Sequence, residues 1–396
     1  MTTSPTSARS PLDPGPGPAE HVNAMQLSRF GAALEAVRYE PVAPEAGAIV
    51  ADVTHAGVCG TDMHLQQGRM QIPLPVILGH ESVGVVRELG AGVTVDALGQ
   101  PLQPGDAISW MSNIPCGTCF FCAQEKQPSL CETRKVYGIN QSSGVWPHLS
   151  GGWAEQIYLQ PGSTVVKLPA GATPDAVIAL GCAGPTATHA LHTMASPKEG
   201  DVVVVQGSGP VGLASAMLAK LAGAARIILV GGPESRLETA RRLGIGDVHI
   251  DVFGTEPQER LAQVLAETEG GRGADFVIEA TGVPSAVAEG IDFARRGATY
   301  LVVGQYTDHG PTMINPHYIT KKQLRMLGSW AFSAADQLEY VRAVPALSEL
   351  FDLPSLITHY PLDEANRALE DMREGRTLKP VLLPGAGGTT SATAAR

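Results

Sequence analysis

Val202-Val-Val-Val-Gln-Gly207-Ser-Gly209-Pro210-Val211-Gly212 passes from a β-branched apolar run into a glycine-rich turn and then into a helical pattern. Each glycine of this G-x-G-x-x-G spacing has a physical task. Gly207 permits the tight turn, Gly209 lets the backbone approach a pyrophosphate, and Gly212 allows the helix to pack closely on the strand. The helix N-terminus, opened by Pro210 and Val211, offers free N–H groups and a partial positive charge to that pyrophosphate. These five residues are therefore expected to bind a dinucleotide. Working outward, short apolar runs at 202–205, 227–230, 248–250, 276–278 and 300–303 alternate with helical runs such as 211–221 and 236–243. Nearly continuous β-branched strands separated by helices indicate a doubly wound parallel sheet covered on both faces, a Rossmann-type α/β domain.

The end of the second strand departs from the usual pattern. An acidic residue about twenty positions after the glycines would bind the ribose hydroxyls of NAD. Here Gly231 stands in that place, within Val230-Gly231-Gly232-Pro-Glu234-Ser-Arg236. Arg236 or Ser235 could meet a 2′-phosphate, whereas Glu234 could serve a ribose or repel a phosphate. NAD and NADP both remain open at this point.

Upstream, the texture changes. From 24 to 180 the apolar runs are short and end in Gly or Pro, as at Pro73, Pro75, Gly79, Gly84, Gly90, Pro104 and Gly105. This predicts a mostly antiparallel β domain. After the parallel sheet a helix is expected over 336–350 and a last strand over 380–383. The expected organisation is a disordered leader (1–23), a β domain (24–182), a dinucleotide domain (183–325), a return to the β domain (326–384) and a disordered tail (385–396). With 396 residues, 44% apolar and 17% charged, the chain has material for two cores. A formal charge of −11 argues against a nucleic-acid partner. No apolar run is long enough for a bilayer. The first twenty residues lack a secretory core, so a cytoplasmic protein is expected.

All six cysteines fall into metal-like sets. Cys116-Gly-Thr-Cys119-Phe-Phe-Cys122, followed by Cys131, can enclose one Zn²⁺ tetrahedrally with no open position, a structural site. Cys59 lies in Gly57-Val-Cys59-Gly-Thr61-Asp62-Met-His64, His80 in Gly79-His80-Glu81, and Cys182 in Gly181-Cys182-Ala-Gly-Pro-Thr186. Taken singly, Cys182 reads as a core thiol and His80 as a turn histidine. Together, two thiolates, one imidazole and an open fourth position make a catalytic zinc site.

These segments resemble the zinc-containing alcohol dehydrogenases of the medium-chain dehydrogenase/reductase superfamily. Gly79-His80-Glu81-x-x-Gly84-x₅-Gly90-x-x-Val93 matches the zinc pattern of that family, and the resemblance spans 24–384. It implies a GroES-like β domain joined to a Rossmann domain with the active site between them. It implies two zinc ions per chain, reversible hydride transfer between NAD(P) and a secondary, cyclic or polyol alcohol or its carbonyl, and a homodimer or homotetramer. By position, Cys59, His80 and Cys182 are the implied catalytic ligands. Thr61 is the implied proton acceptor and His64 the implied relay, with Asp62 and Glu81 as supporting carboxylates. Thr186 falls beside the nicotinamide, and Lys379, or failing it Arg376, at the pyrophosphate. Trp110, Met111, Trp146 and His148 are expected near the cleft, and Trp153 either there or in the core. Three departures stand out: Gly231, Gly60 where some members carry a cation, and a Cys122–Cys131 gap one residue longer than usual. The rival classes are a zinc-free quinone reductase of the same fold, which would lack the ligands, and a non-catalytic zinc- and nucleotide-binding scaffold.

Overall fold

A computed structural model describes residues 21–385. Most of the expected leader and tail therefore lies outside the described residues. At the leader's end the expectation needs correction, because a strand already starts at Val22 and Asn23 is hydrogen-bonded to Glu155.

The β domain is built on one sheet. Strand β1 (Ile49–Gly57) runs beside β2 (Ser82–Leu89), which pairs with β3 (Ala107–Trp110), and Val165–Lys167 closes that side. These pairings are antiparallel, as the short Gly- and Pro-punctuated runs predict. Helix α1 (Gly60–Gln66) follows β1 directly. It is capped by Cys59, whose sulfur accepts from Thr61 N–H while the Asp62 carboxylate accepts from Cys59 N–H. Helix α2 (Pro174–Leu180) packs its apolar face against β1 and β2 and leads into Cys182.

The dinucleotide domain is a parallel sheet of β4 (Val202–Gln206), β5 (Arg226–Gly231), β6 (Val248–Asp251), β7 (Ala274–Glu279), β8 (Ala294–Val302) and β9 (Arg325–Gly328). Their spatial order, β6-β5-β4-β7-β8-β9, places the glycine turn at the end of the central strand. That is the switch point where open α/β sheets bind ligands. Residues of β4 alternate between two cores: Val203 and Val205 pack with helix α3 (Pro210–Leu221), while Val204 packs with Ile228, Val277 and Tyr300 on the other face. Covering both faces explains why these strands read as unbroken apolar runs. The sixth strand, β9, extends the sheet past 325, across the boundary expected there.

Helix α4 (Ala334–Leu350) then crosses back. Strands β10 (Ile357–Pro361) and β11 (Lys379–Leu383) join the β domain, with β11 pairing β1. One apolar cluster, including Val83, Ile178, Leu213, Tyr340 and Val381, runs through both domains. Among the described residues no helix is long and apolar enough to cross a membrane.

Candidate active site

Three loops meet where the two domains adjoin. Cys59 caps α1, His80 follows a turn at Gly79, and Cys182 follows α2. The Gly79 turn needs φ +90°, and a Cβ there would strike the Trp153 ring, so only glycine fits. The Cys59 sulfur lies 3.2 Å from His80 Nε2 and 3.9 Å from the Cys182 sulfur. The ligand atoms of Cys59, His80 and Cys182 all fall within 4.8 Å of one another.

The surroundings hold this set in place. Asp62 is fully buried and its Oδ1 lies 3.3 Å from His80 Nδ1, although neither atom has a well-aligned hydrogen-bond partner among the described residues. The Glu81 carboxylate accepts Cys182 N–H at 2.5 Å and pairs with the buried Lys379 ammonium. The hydrogen bond from Cys182, against the opposing effect of burial, holds the Cys59 thiol well below its usual pKa. The same bond, with burial, pushes Cys182 up. For His80, burial works against the charged form, but the Cys59 and Asp62 charges outweigh it and raise the pKa. Two soft sulfurs and an imidazole crowded together, with orphaned polar atoms behind them, suit a divalent cation of zinc type.

Thr61 and His64 sit one turn apart on α1. His64 Nδ1 is 3.0 Å from the Thr307 hydroxyl, on the loop after β8, and its ring meets His309 edge-on at 6.3 Å. Burial, then Arg69 and His309, lower its pKa. The contact with Thr307 reaches from the β domain to the dinucleotide domain, and nothing in the sequence pattern announced it.

At the glycine turn, Gly207 takes φ +112° and a Cβ on Gly212 would collide with the Gly207 carbonyl. Gly209 is open, with an Arg236 Nη1 3.9 Å from where its Cβ would be. The structure supplies a reason for Gly231. Ser208 Oγ accepts Gly232 N–H and donates to its carbonyl, and a side chain at 231 would run into Ser208. Glu234 is engaged by Arg241 at 2.5 Å. Among the described residues, Arg236 has no carboxylate within 4.0 Å, and burial lowers its pKa. Thr186 lies one turn beyond Cys182, its N–H donating to the Cys182 carbonyl.

Several expected residues lie elsewhere. Lys379, expected at a pyrophosphate, is 2% exposed with its ammonium on Glu81, because β11 carries it into the sheet beneath the Cys182 loop. Arg376 is bound to Asp371 at 2.6 Å. Trp153 is a core residue whose indole N–H donates to the Gly57 carbonyl. Trp146 packs edge-on against Tyr158, and His148 stacks on Tyr39, both within the β domain. Trp110 does border a small cavity with His80, Ser109, Cys182 and Phe332, and Met111 beside it is buried. A third aromatic pair, which no sequence pattern marks, lies by the domain junction: Tyr306 stacks on Trp330 at 4.8 Å, lining a cavity with Val302 and His309.

The second cysteine set is compact. Cys116, Cys119, Cys122 and Cys131 bring their sulfurs within 4.8 Å of one another, and all are free thiols. The Cys119–Cys131 separation of 4.0 Å is far beyond a disulfide bond. The long gap is absorbed by the short helical turn Pro128–Leu130, which delivers Cys131 back to the set. Hydrogen bonds from Thr133 and from the Thr118 and Cys119 N–H groups bring Cys116 down to about 5, which favours the thiolate a metal needs.

Comparison with known proteins agrees with this architecture. The alcohol dehydrogenase GroES-like domain family matches residues 45–170, and the zinc-binding dehydrogenase family matches 210–349. The chain is 33% identical to 5-exo-hydroxycamphor dehydrogenase of Pseudomonas putida, over 90% of this chain and 99% of that relative. It is 30% identical to D-arabinitol dehydrogenase 1 of Uromyces fabae, over 85% and 90%. The crystal structure of an alcohol dehydrogenase from Thermotoga maritima superposes with a TM-score of 0.87 at 36% identity, covering 92% of this chain and 99% of that one. With both domains matched along nearly their whole length, the chain belongs to the zinc-containing alcohol dehydrogenases of the medium-chain dehydrogenase/reductase superfamily and is an alcohol oxidoreductase.

Proposed function

We propose that this protein oxidises a cyclic secondary alcohol, or reduces the matching ketone, with one catalytic and one structural zinc per chain and with NADP accepted as well as NAD. The observation that carries the reading is the convergence of Cys59, His80 and Cys182 beside Thr61 at the domain junction. Zinc held by those three residues supplies Lewis acidity that eases loss of a substrate hydroxyl proton. The Thr61 hydroxyl takes that proton and passes its own toward His64. Because its pKa is lowered, the His64 imidazole is neutral near pH 7 and able to accept. A nicotinamide dinucleotide held at the Gly207–Gly212 turn would supply the hydride acceptor that lets the alcohol become a carbonyl. Asp62 orients His80, and Glu81 with Lys379 fixes the loop that carries Cys182. Cys116, Cys119, Cys122 and Cys131 hold the structural ion.

The substrate class rests mainly on the relative named for hydroxycamphor, with Trp110 and Phe332 beside His80 and Cys182 in a cavity whose lining also includes Ser109, Ser112 and Gln337. The cofactor reading rests on Arg236 beside Gly209 and on the lack of room for a carboxylate at 231. Titrating NADPH and NADH against tryptophan fluorescence tests it. Arg236→Ala is expected to weaken NADPH about tenfold or more and to leave NADH within twofold, as loss of one charge-assisted contact implies. Wild-type NADPH binding a hundredfold weaker than NADH would refute it. A panel of zinc-loaded assays then sets cyclic alcohols against polyols.

A further inference from the structure

Near the C-terminal end of β1, four residues before Cys59, three ionisable residues from distant parts of the chain converge. His55 is on β1, Asp175 is the second residue of α2, and His359 is on β10. His55 Nε2 lies 3.2 Å from Asp175 Oδ1, and His359 Nε2 lies 2.9 Å from the same oxygen. The two rings stand 6.1 Å apart at 62°. All three ligand atoms lie within 4.8 Å of one another. Neither zinc set described above includes any of them.

The hydrogen bonding around His55 decides what this cluster is for. Thr54 Oγ1 donates its one hydrogen to the Val83 carbonyl at 3.1 Å. It can therefore only accept from His55 Nδ1, 3.0 Å away, so that nitrogen carries the ring proton. In the neutral ring Nε2 is then a bare lone pair aimed at a carboxylate oxygen. Two acceptors facing each other at 3.2 Å need a cation between them. Burial lowers the pKa of His55 despite Asp175, which makes a proton a poor candidate near neutrality. A metal ion answers the same need, and an Nδ1–H held by a polar acceptor fixes the ring as the outer partners of ligand imidazoles do. The favourable position of Asp175 in the first turn of α2 would account for that residue alone, not for two imidazoles turned onto it.

We infer that His55, Asp175 and His359 form a third metal site, one that takes a divalent transition ion such as zinc on two imidazoles and a carboxylate, with water completing the sphere. Two nitrogens and one oxygen suit zinc, nickel or cobalt rather than calcium or magnesium. His359 and Asp175 are partly exposed, at 42% and 34% of their side-chain surface, so the ion enters and leaves from solvent. The ion ties β1, α2 and β10 together. Because β1 leads to Cys59 and α2 leads to Cys182, it braces two of the three strands of chain that bring the catalytic ligands together.

The test counts metal by equilibrium dialysis of the purified full chain at graded free zinc, comparing wild type with His359→Ala and Asp175→Asn. Both positions are partly exposed, and far-UV circular dichroism with a cooperative thermal unfolding transition checks that the variants fold. Wild type is expected to bind one equivalent more than either variant at free zinc up to 0.1 mM, or to bind that equivalent at least tenfold more tightly. The readout is the difference between chains, so it stands apart from whether the cysteine sets hold two ions. Cobalt adds a second reading, since the extra equivalent should bring weak visible bands without the intense near-ultraviolet absorption of thiolate ligation. Equal stoichiometry and affinity in wild type and both variants would overturn the proposal, as would an extra equivalent carrying thiolate absorption.

Discussion

At the scale of single residues, the site depends on groups that act only through their neighbours. In the proposed relay the Thr61 hydroxyl takes the substrate proton, and removing it while keeping the side chain's shape isolates that role. Thr61→Val is expected to lower kcat by about 10²–10⁴-fold with zinc content unchanged, the range for loss of a proton-transfer group. Steady-state turnover alongside metal analysis checks this. Lys379 teaches a different lesson. Its ammonium and the Glu81 carboxylate are both almost wholly buried. Replacing only the lysine would strand a negative charge in the interior. Lys379→Met should therefore cost about 3–5 kcal/mol of stability in urea unfolding. Adding Glu81→Gln should recover much of that loss. Gly231 shows how a departure from a motif is explained locally: Ser208, inside the glycine turn, already occupies the space a ribose-binding acid would need.

At the scale of elements, α4 is anchored at one end by a small polar network. Ser333 and Asp336 form its capping box, and Asp336 also accepts from His189 at 2.9 Å and Thr193 at 2.7 Å. Burial opposes the charged form of Asp336, but the hydrogen bonds from His189 and Ser333 prevail and set its pKa at about 2, below the usual 3.8. A depressed carboxylate pKa stabilises the fold above the unfolded value. The contribution, about 2 kcal/mol, is complete above pH 4 to 5 and fades as pH falls toward 2. Asp336→Asn is expected to lose roughly that amount at pH 7. The gap from wild type should shrink measurably by pH 3 in denaturant titrations. The parallel strands were legible because both faces are buried and their apolar runs are continuous. Strand β9 was not. It opens with exposed Arg325 and ends on exposed Gly328 at the sheet's edge, with only partly buried residues between, so its pattern is weak.

At the scale of the whole molecule, the cysteine lobe and the dinucleotide domain are not independent. Trp330, just past β9, lines a cavity together with Phe121, Leu130 and Cys131 of the lobe and stacks on Tyr306 of the dinucleotide domain. An ion held about 1,000-fold above its dissociation constant contributes about 4 kcal/mol. Stripping that ion with a strong chelator should thus lower Tm by about 5 °C in a chain of this length, and the emission of Trp330 should shift. Differential scanning fluorimetry with a Trp330→Phe control reads both effects. The sequence by itself determined what is local: the glycine turn on a buried strand, the run of four cysteines within sixteen residues, and the residue types of the Cys59, His80 and Cys182 segments. Each depends on spacing along a few turns of chain, where backbone geometry alone decides which groups meet. Tertiary structure decided the partnerships between distant segments. It put Lys379 on Glu81 across 298 positions, Thr307 on His64 across 243, and His359 beside His55 through Asp175. Those meetings follow from which strands lie side by side and which way their side chains point, and that is set by packing the two cores together rather than by any repeat or spacing in the chain.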